Sequence, residues 1–246
     1  MGFPNYVNKH REEALINPGD FMRYEGLDKK KFPDKYIITY QKSLLNYFKR
    51  KYRGKYKTVK FLARHKLLVY KNIGLITMSG IGAPYAVVTF EEMISAGGRN
   101  FINIGTAGGL QKEGIFLCER AIRDEGTSHH YKAHGKYAFP DKKLTAKLEK
   151  SLKKVNAQAE RSTTWTIDAP YRETKVEIRH YKNEGVSTVE MESSALFTVA
   201  KLRKVKIASA FVVSDVLGEK WEPKFHHINL RRALNKLVDA AIDCLS

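Results

Sequence analysis

Val189-Glu190-Met191-Glu192-Ser193-Ser194-Ala195-Leu196 is the stretch on which the reading of this chain turns. Val186 to Glu190 reads as an apolar strand, and Ser193 to Leu202 as the amphipathic helix that follows it. Two carboxylates flank a methionine at that junction. Buried glutamates are costly unless something hydrogen-bonds them. A Glu-x-Glu pair at a strand-to-helix turn is suited to holding a vicinal diol, such as the 2′- and 3′-hydroxyls of a ribose. The bland alternative is a carboxylate pair that only serves the start of the helix.

The same alternation extends in both directions. Tyr36 to Tyr40, Lys66 to Tyr70, Ile73 to Met78, Asn100 to Ile104, Ile115 to Ile122, Glu160 to Ile167 and Lys206 to Ser214 read as strands. The last is almost wholly apolar, as a strand covered on both faces would be. Helices are expected from Pro84 to Gly97-Gly98, over Leu144 to Val155 and over Ile228 to Leu245. Together these predict a three-layer α/β sandwich, a mixed central β-sheet flanked by helices on both faces. No repeat or linker interrupts the pattern, so residues 1–246 are expected to form one domain.

At 246 residues the chain is long enough for a sizeable core, and 43% hydrophobic content excludes a mainly disordered protein. No apolar run reaches membrane-spanning length, and Met1-Gly2-Phe3-Pro4-Asn5-Tyr6 lacks the apolar core of a signal peptide. A cytoplasmic protein with no membrane partner is therefore expected. Cys118 and Cys244 are far apart and without metal spacing, so no metal is expected. The net charge of +18 raises the question of nucleic acid. Yet the basic residues are scattered beside apolar positions at helical spacing, as around Leu148, Leu152 and Val155. That is the solvated side of core-packed helices, and the excess favours anionic small substrates in general.

Several short segments could carry chemistry. Gly80-Ile81-Gly82-Ala83-Pro84 follows a strand and opens a helix, where backbone amides can approach an anion; a tight turn explains it equally well. Gly105-Thr106-Ala107-Gly108-Gly109 follows another strand and offers a hydroxyl. Two such turns at strand ends point to a ligand beyond the carboxyl edge of the sheet. Ser214-Asp215 ends the apolar strand, where partial desolvation would suit the Asp to general-acid work, an N-cap being the rival reading. Trp165, with Tyr171 and Arg172, could bind a nucleobase or be a core aromatic beside a surface arginine. Asp124 to Tyr131 reads as a substrate-covering loop or a surface turn.

In this order, Ser79-Gly80-Ile81-Gly82-Ala83-Pro84, Ile104-Gly105-Thr106-Ala107-Gly108-Gly109, Val189-Glu190-Met191-Glu192 and Val213-Ser214-Asp215 resemble the nucleoside phosphorylase superfamily. That group includes purine and uridine phosphorylases and related hydrolytic nucleosidases. The resemblance implies that Glu190, Met191 and Glu192 form the ribose site and that Trp165, Arg172 and Ser214 lie at the base. It implies Asp215 as the acid serving a purine leaving group, and Gly82, Gly105 and Thr106 at phosphate. It further implies no cofactor, inorganic phosphate as co-substrate, and a homo-oligomer, dimer or hexamer, active in nucleoside metabolism.

The departures from the family pattern concern the nucleophile. The Gly-Asp-Pro-type loop and its arginine should follow the first strand, but the segment that looks like it, Asn17-Pro18-Gly19-Asp20-Phe21-Met22-Arg23, precedes that strand. The loop position falls near Gln41-Lys42 instead. A second phosphate arginine is replaced by Asn103, as in the hydrolytic members; Lys42, Lys60 or Arg23 could substitute. Of the uridine enzymes' Gln-x-Arg base reader, Pro170 and Arg172 keep half. The expected function is phosphorolysis of a (deoxy)ribonucleoside to free base and ribose 1-phosphate, purine ahead of uridine. The alternatives are a hydrolytic nucleosidase acting on methylthioadenosine or adenosylhomocysteine, and a non-catalytic nucleoside- or nucleic-acid-binding protein.

Overall fold

The computed structural model describes residues 3–6, 8–61 and 65–246; Met1 and Gly2 of the N-terminal stretch read above lie outside them. The strands are β1 (Lys35–Thr39), β2 (Lys57–Phe61), β3 (His65–Tyr70), β4 (Ile73–Thr77), β5 (Asn100–Gly109) and β6 (Ile115–Asp124). They continue with β7 (Tyr137–Ala138), β8 (Ala159–Ile167), β9 (Val186–Glu190), β10 (Lys206–Leu217) and β11 (Trp221–Pro223). The helices are α1 (Pro18–Tyr24), α2 (Lys42–Lys51), α3 (Ala83–Ser95), α4 (Thr127–Tyr131), α5 (Lys142–Lys154), α6 (Lys175–Asn183), α7 (Ser193–Leu202) and α8 (Ile228–Leu245).

All strands join one mixed sheet. β5 pairs in parallel with both β1 and β10, while β6 runs antiparallel to β10. The pairings β10–β6, β6–β8, β8–β9, β9–β5 and β5–β10 close on themselves, so part of the sheet forms a ring without free edges. Beyond the ring, β1, β4, β3 and β2 extend the sheet outward.

Period-two alternation divides the strands between two apolar layers. Tyr36, Ile38, Phe101 and Ile207 pack with α1, α3 and α7. Ile37, Ile102, Ile104, Ala208 and Ala210 pack with α2, α5 and α8. A third cluster around Trp165 and Val189 fills the side near β8 and β9. This is the sandwich expected from the sequence. Two expected boundaries shift: the glycine segment 105–109 continues β5 rather than ending it, and β10 runs past Asp215 to Leu217. Gly108 and Gly109 leave room there for Val189 of β9 and for Val213 and Leu217 of β10.

Local chemistry explains the helix starts. Asn17 and Asp20 form a capping box on α1, and Thr174 and Glu177 another on α6. Asp141 accepts from the Leu144 amide at the start of α5. The Asp124-to-Tyr131 segment is no open loop but ends in the short helix α4, and the Arg123 guanidinium ties together the carbonyls of Lys132, Ala133 and Gly135.

Candidate active site

Glu190 ends β9 and is buried at 6% exposure. Its Oε2 accepts the amides of Glu192 (3.0 Å) and Ser193 (2.8 Å), and its Oε1 accepts the Thr166 hydroxyl at 2.6 Å. A carboxylate at the N-terminus of α7 satisfies amides that the helix leaves unpaired and complements its dipole. Thr166 in turn accepts the Ser194 amide, and the Ser194 hydroxyl donates to the buried Glu125. Glu190 is thus held from below by β8 and α7, with both oxygens engaged inside the protein.

Glu192 faces the other way. Its Oε1 accepts the Gly82 amide at 2.7 Å, which joins the start of α7 to the start of α3. Gly82 has φ 100°, a conformation that side-chain-bearing residues rarely adopt, so the glycine is required to aim its N–H at the carboxylate. Burial, followed by the charge of Glu190, pushes the Glu192 carboxyl up to about 8. Glu190 is also raised by burial, but three donors offset this. Burial thus raises both carboxyls of the pair, and the charge of Glu190 adds to the effect on Glu192. Met191, between them, is half-buried.

The carboxyl end of β5 forms the adjoining wall. Thr106 is partly exposed, and its hydroxyl accepts from Gln41 Nε2 at 3.1 Å, while Thr39 donates to Gln41 Oε1 at 3.3 Å. A side chain on Gly105 would meet the Tyr40 ring at 3.4 Å, so the glycine allows β1 and its following residues to lie close. The Tyr40 hydroxyl is enclosed without a hydrogen-bond partner among the described residues, and burial and the charges of Glu192 and Glu190 keep it protonated. Asn103, fully buried below, donates to Ser209 at 3.3 Å.

Asp215 sits at a bulge in β10 opposite Gly108. Its Oδ1 accepts the Ser214 hydroxyl and its Oδ2 the Trp221 indole N–H, both at 2.8 Å. Glu173 lies nearby, its carboxyl pushed up to about 7 by burial and then by the charge of Asp215. Since Gly108 also pairs with Val189 of β9, the fold brings Glu190, Glu192, Gly82, Thr106, Ser214 and Asp215 to one end of the sheet.

Some expected residues stand elsewhere. Trp165 has no exposed surface: its ring packs on Tyr181 and its N–H donates to Asp124 at 2.8 Å, so it belongs to the core and does not face a base. Arg172 is exposed on a short 3-10 turn, Pro170–Arg172. Arg23 is paired with Asp20 on α1, beside Ser95 at the far end of α3 from Gly82, and cannot reach the site. Lys42 and Lys60 are exposed. The Gly82 amide is committed to Glu192 and is not free for an anion. Gln41, Tyr40, Thr166, Glu125 and Trp221 were not singled out as site residues by sequence. Gln41 carried a signal through its position after the first strand, and Glu125 through the polar segment from Asp124 to Tyr131.

Fold and site define an α/β protein that gathers paired carboxylates at the start of α7 and Asp215, with Glu173 near it, at one end of the sheet. The chain belongs to the phosphorylase superfamily, whose family model matches residues 50–243. A purine nucleoside phosphorylase of Plasmodium vivax is 27% identical over 179 residues, 70% of each chain. A uridine phosphorylase of Treponema pallidum is 28% identical over 153 residues, 56% of this chain and 59% of that one. The fold matches the crystal structure of a uridine phosphorylase from Vibrio fischeri with a TM-score of 0.73 at 24% identity, covering 87% of this chain and 90% of that one. Among the described residues, no helix is long and apolar enough to cross a membrane.

Proposed function

We propose that the protein cleaves the N-glycosidic bond of a nucleoside, purine ahead of uridine, with phosphate as the acceptor. The carrying observation is the Glu190–Glu192 pair held against Gly82 at the same strand ends as Asp215. In this reading Glu192 and the Met191 backbone hold the ribose hydroxyls, and Glu190 holds Glu192. As the bond breaks, positive charge grows on the ribose and negative charge on the base. Glu190 stabilises the first from a low-dielectric site, and Asp215 transfers its carboxyl proton to a purine ring nitrogen to relieve the second, ending as the carboxylate that accepts the new ring N–H. The purine and uridine phosphorylases among the relatives support the choice of acceptor. No cofactor enters this scheme, and the protein works as a homo-oligomer in the cytoplasm.

A second reading, with water as acceptor, draws on the wall formed by β1 and β5. Gln41 bonds the Thr106 hydroxyl, and Asn103 stands where the family pattern has an arginine. Among the described residues, no lysine or arginine hydrogen-bonds to Thr106, Gln41 or Glu192. The family match begins at residue 50 and so takes in Asn103 and Thr106 of β5 but leaves out β1 and Gln41.

The deciding experiment incubates the protein with inosine, adenosine, methylthioadenosine and uridine, with and without phosphate, and identifies the sugar. Ribose 1-phosphate formed only with phosphate supports phosphorolysis; free ribose without phosphate selects hydrolysis. No base release from any nucleoside rejects both. Asp215→Asn should slow purine cleavage by about 10²-fold or more, the usual worth of acid assistance, and keep the fold.

A further inference from the structure

The Trp221 indole makes a contact that the proposed chemistry does not use. Its Nε1–H donates to Asp215 Oδ2 at 2.8 Å, while Trp221 as a whole is 60% exposed. Indole is a fused five- and six-membered ring with its donor on the five-membered ring. A purine base is the same shape, with an N–H on its imidazole ring. We propose that Trp221 is a built-in stand-in for the base: it occupies the acceptor that the ring N–H of a purine takes on Asp215, and a purine must displace it. This rests on the reading that Asp215 faces the base.

The local structure suits displacement. β11 is three residues long and pairs only with the end of β10, through Asp215↔Pro223, Val216↔Glu222 and Leu217↔Trp221. The returning strand is fastened below the tryptophan: the Lys224 amide donates to the Ser214 carbonyl at 2.8 Å, and the Lys224 ammonium pairs with Glu113. Trp221 can therefore leave Asp215 by side-chain rotation, without undoing β11. Its hydrogen bond lies at the solvent edge, where water competes for both partners. The Ser214 hydroxyl stays on the other oxygen and keeps the carboxylate aimed. A pyrimidine has no five-membered ring, so this exchange makes Trp221 a specificity-determining residue that favours purines.

The test measures binding of free hypoxanthine and free uracil to the full chain and to Trp221→Phe, which removes the indole donor but keeps an aromatic ring. Thermal unfolding of both proteins checks the fold. Hypoxanthine should bind Trp221→Phe about 3- to 10-fold more tightly, the worth of one exposed hydrogen bond, with uracil unchanged. In the unaltered protein, acrylamide quenching of tryptophan fluorescence should rise with hypoxanthine as Trp221 swings into solvent; Trp165, fully buried, contributes little. Weaker hypoxanthine binding by the variant, or quenching that falls, would show a fixed wall of the base pocket and overturn the proposal. Inosine cleavage is followed in parallel. Cleavage without any gain in the variant's hypoxanthine affinity rejects the role of Trp221 alone; no cleavage and no base binding rejects the function as well.

Discussion

Glu190 and Glu192 are two residues apart and have opposite tasks. Thr166, Glu192 and Ser193 donate to Glu190, whereas Glu192 accepts the Gly82 amide from the start of a different helix. The Glu192 carboxyl is raised from its usual 4.5 to about 8, which makes the folded state bind a proton the unfolded chain has already released. The stability contributed by this group is complete below the unfolded value and is lost as pH climbs toward 8. Glu192→Gln, neutral at every pH, should remove that decline. Thermal melts between pH 5 and 9 would show it as a flatter profile, with the variant above the unaltered protein at the alkaline end. An unchanged slope would mean that Glu192 is ionised at neutral pH. Nucleoside binding should weaken in the same variant above pH 8, where the ionised carboxylate accepts at both oxygens and the amide at only one.

At the scale of elements, the site is a meeting of ends: β9 into α7, β4 into α3, β5 beside β10. Thr166 of β8 is the joint between them, since it donates to Glu190 and accepts the first turn of α7 through Ser194. Thr166→Val keeps the shape and removes both bonds. Leaving a buried carboxylate and an amide short of partners costs about 1–3 kcal/mol, measurable by urea unfolding. The same change should raise KM for nucleoside, because Glu190, which holds the Glu192 amide, loses one of its own anchors. Equal stability with normal KM would remove Thr166 from this role. The strand-to-helix junction at Glu190 was legible in the sequence, because apolar alternation gave way to helical spacing there. The short helix α4 and the strand β11 were not, since segments of a few residues carry no period of their own, and α6, nine residues long, has no buried side chain to set one.

At the scale of the whole molecule, the two apolar layers do different work. The layer under α1, α3 and α7 supports the site, whereas the layer under α2, α5 and α8 lies behind the sheet. Leu148 of α5 is fully buried in the second layer. Leu148→Ala should cost about 2–5 kcal/mol of stability and leave KM for nucleoside and the product ratio unchanged at low temperature. A shift in KM would show that the layers are coupled through the sheet.

The sequence by itself determined the sandwich and the positions of its main core strands and of the helices α3, α5, α7 and α8, and it marked Glu192, Gly82, Thr106 and Asp215 at strand ends. Periodicity and glycine turns at strand ends are local properties and need no knowledge of distant contacts. Only the tertiary structure decided that Trp165 is core and Arg23 remote, since the burial of an aromatic and the reach of an arginine depend on what packs against them. It also decided that the Glu192 carboxyl is raised, because a carboxylate's state follows from the solvent and the charges that folding leaves around it. The indole on Asp215 belongs to the same class: an exposed tryptophan six residues downstream has no pattern to announce it until the chain folds back.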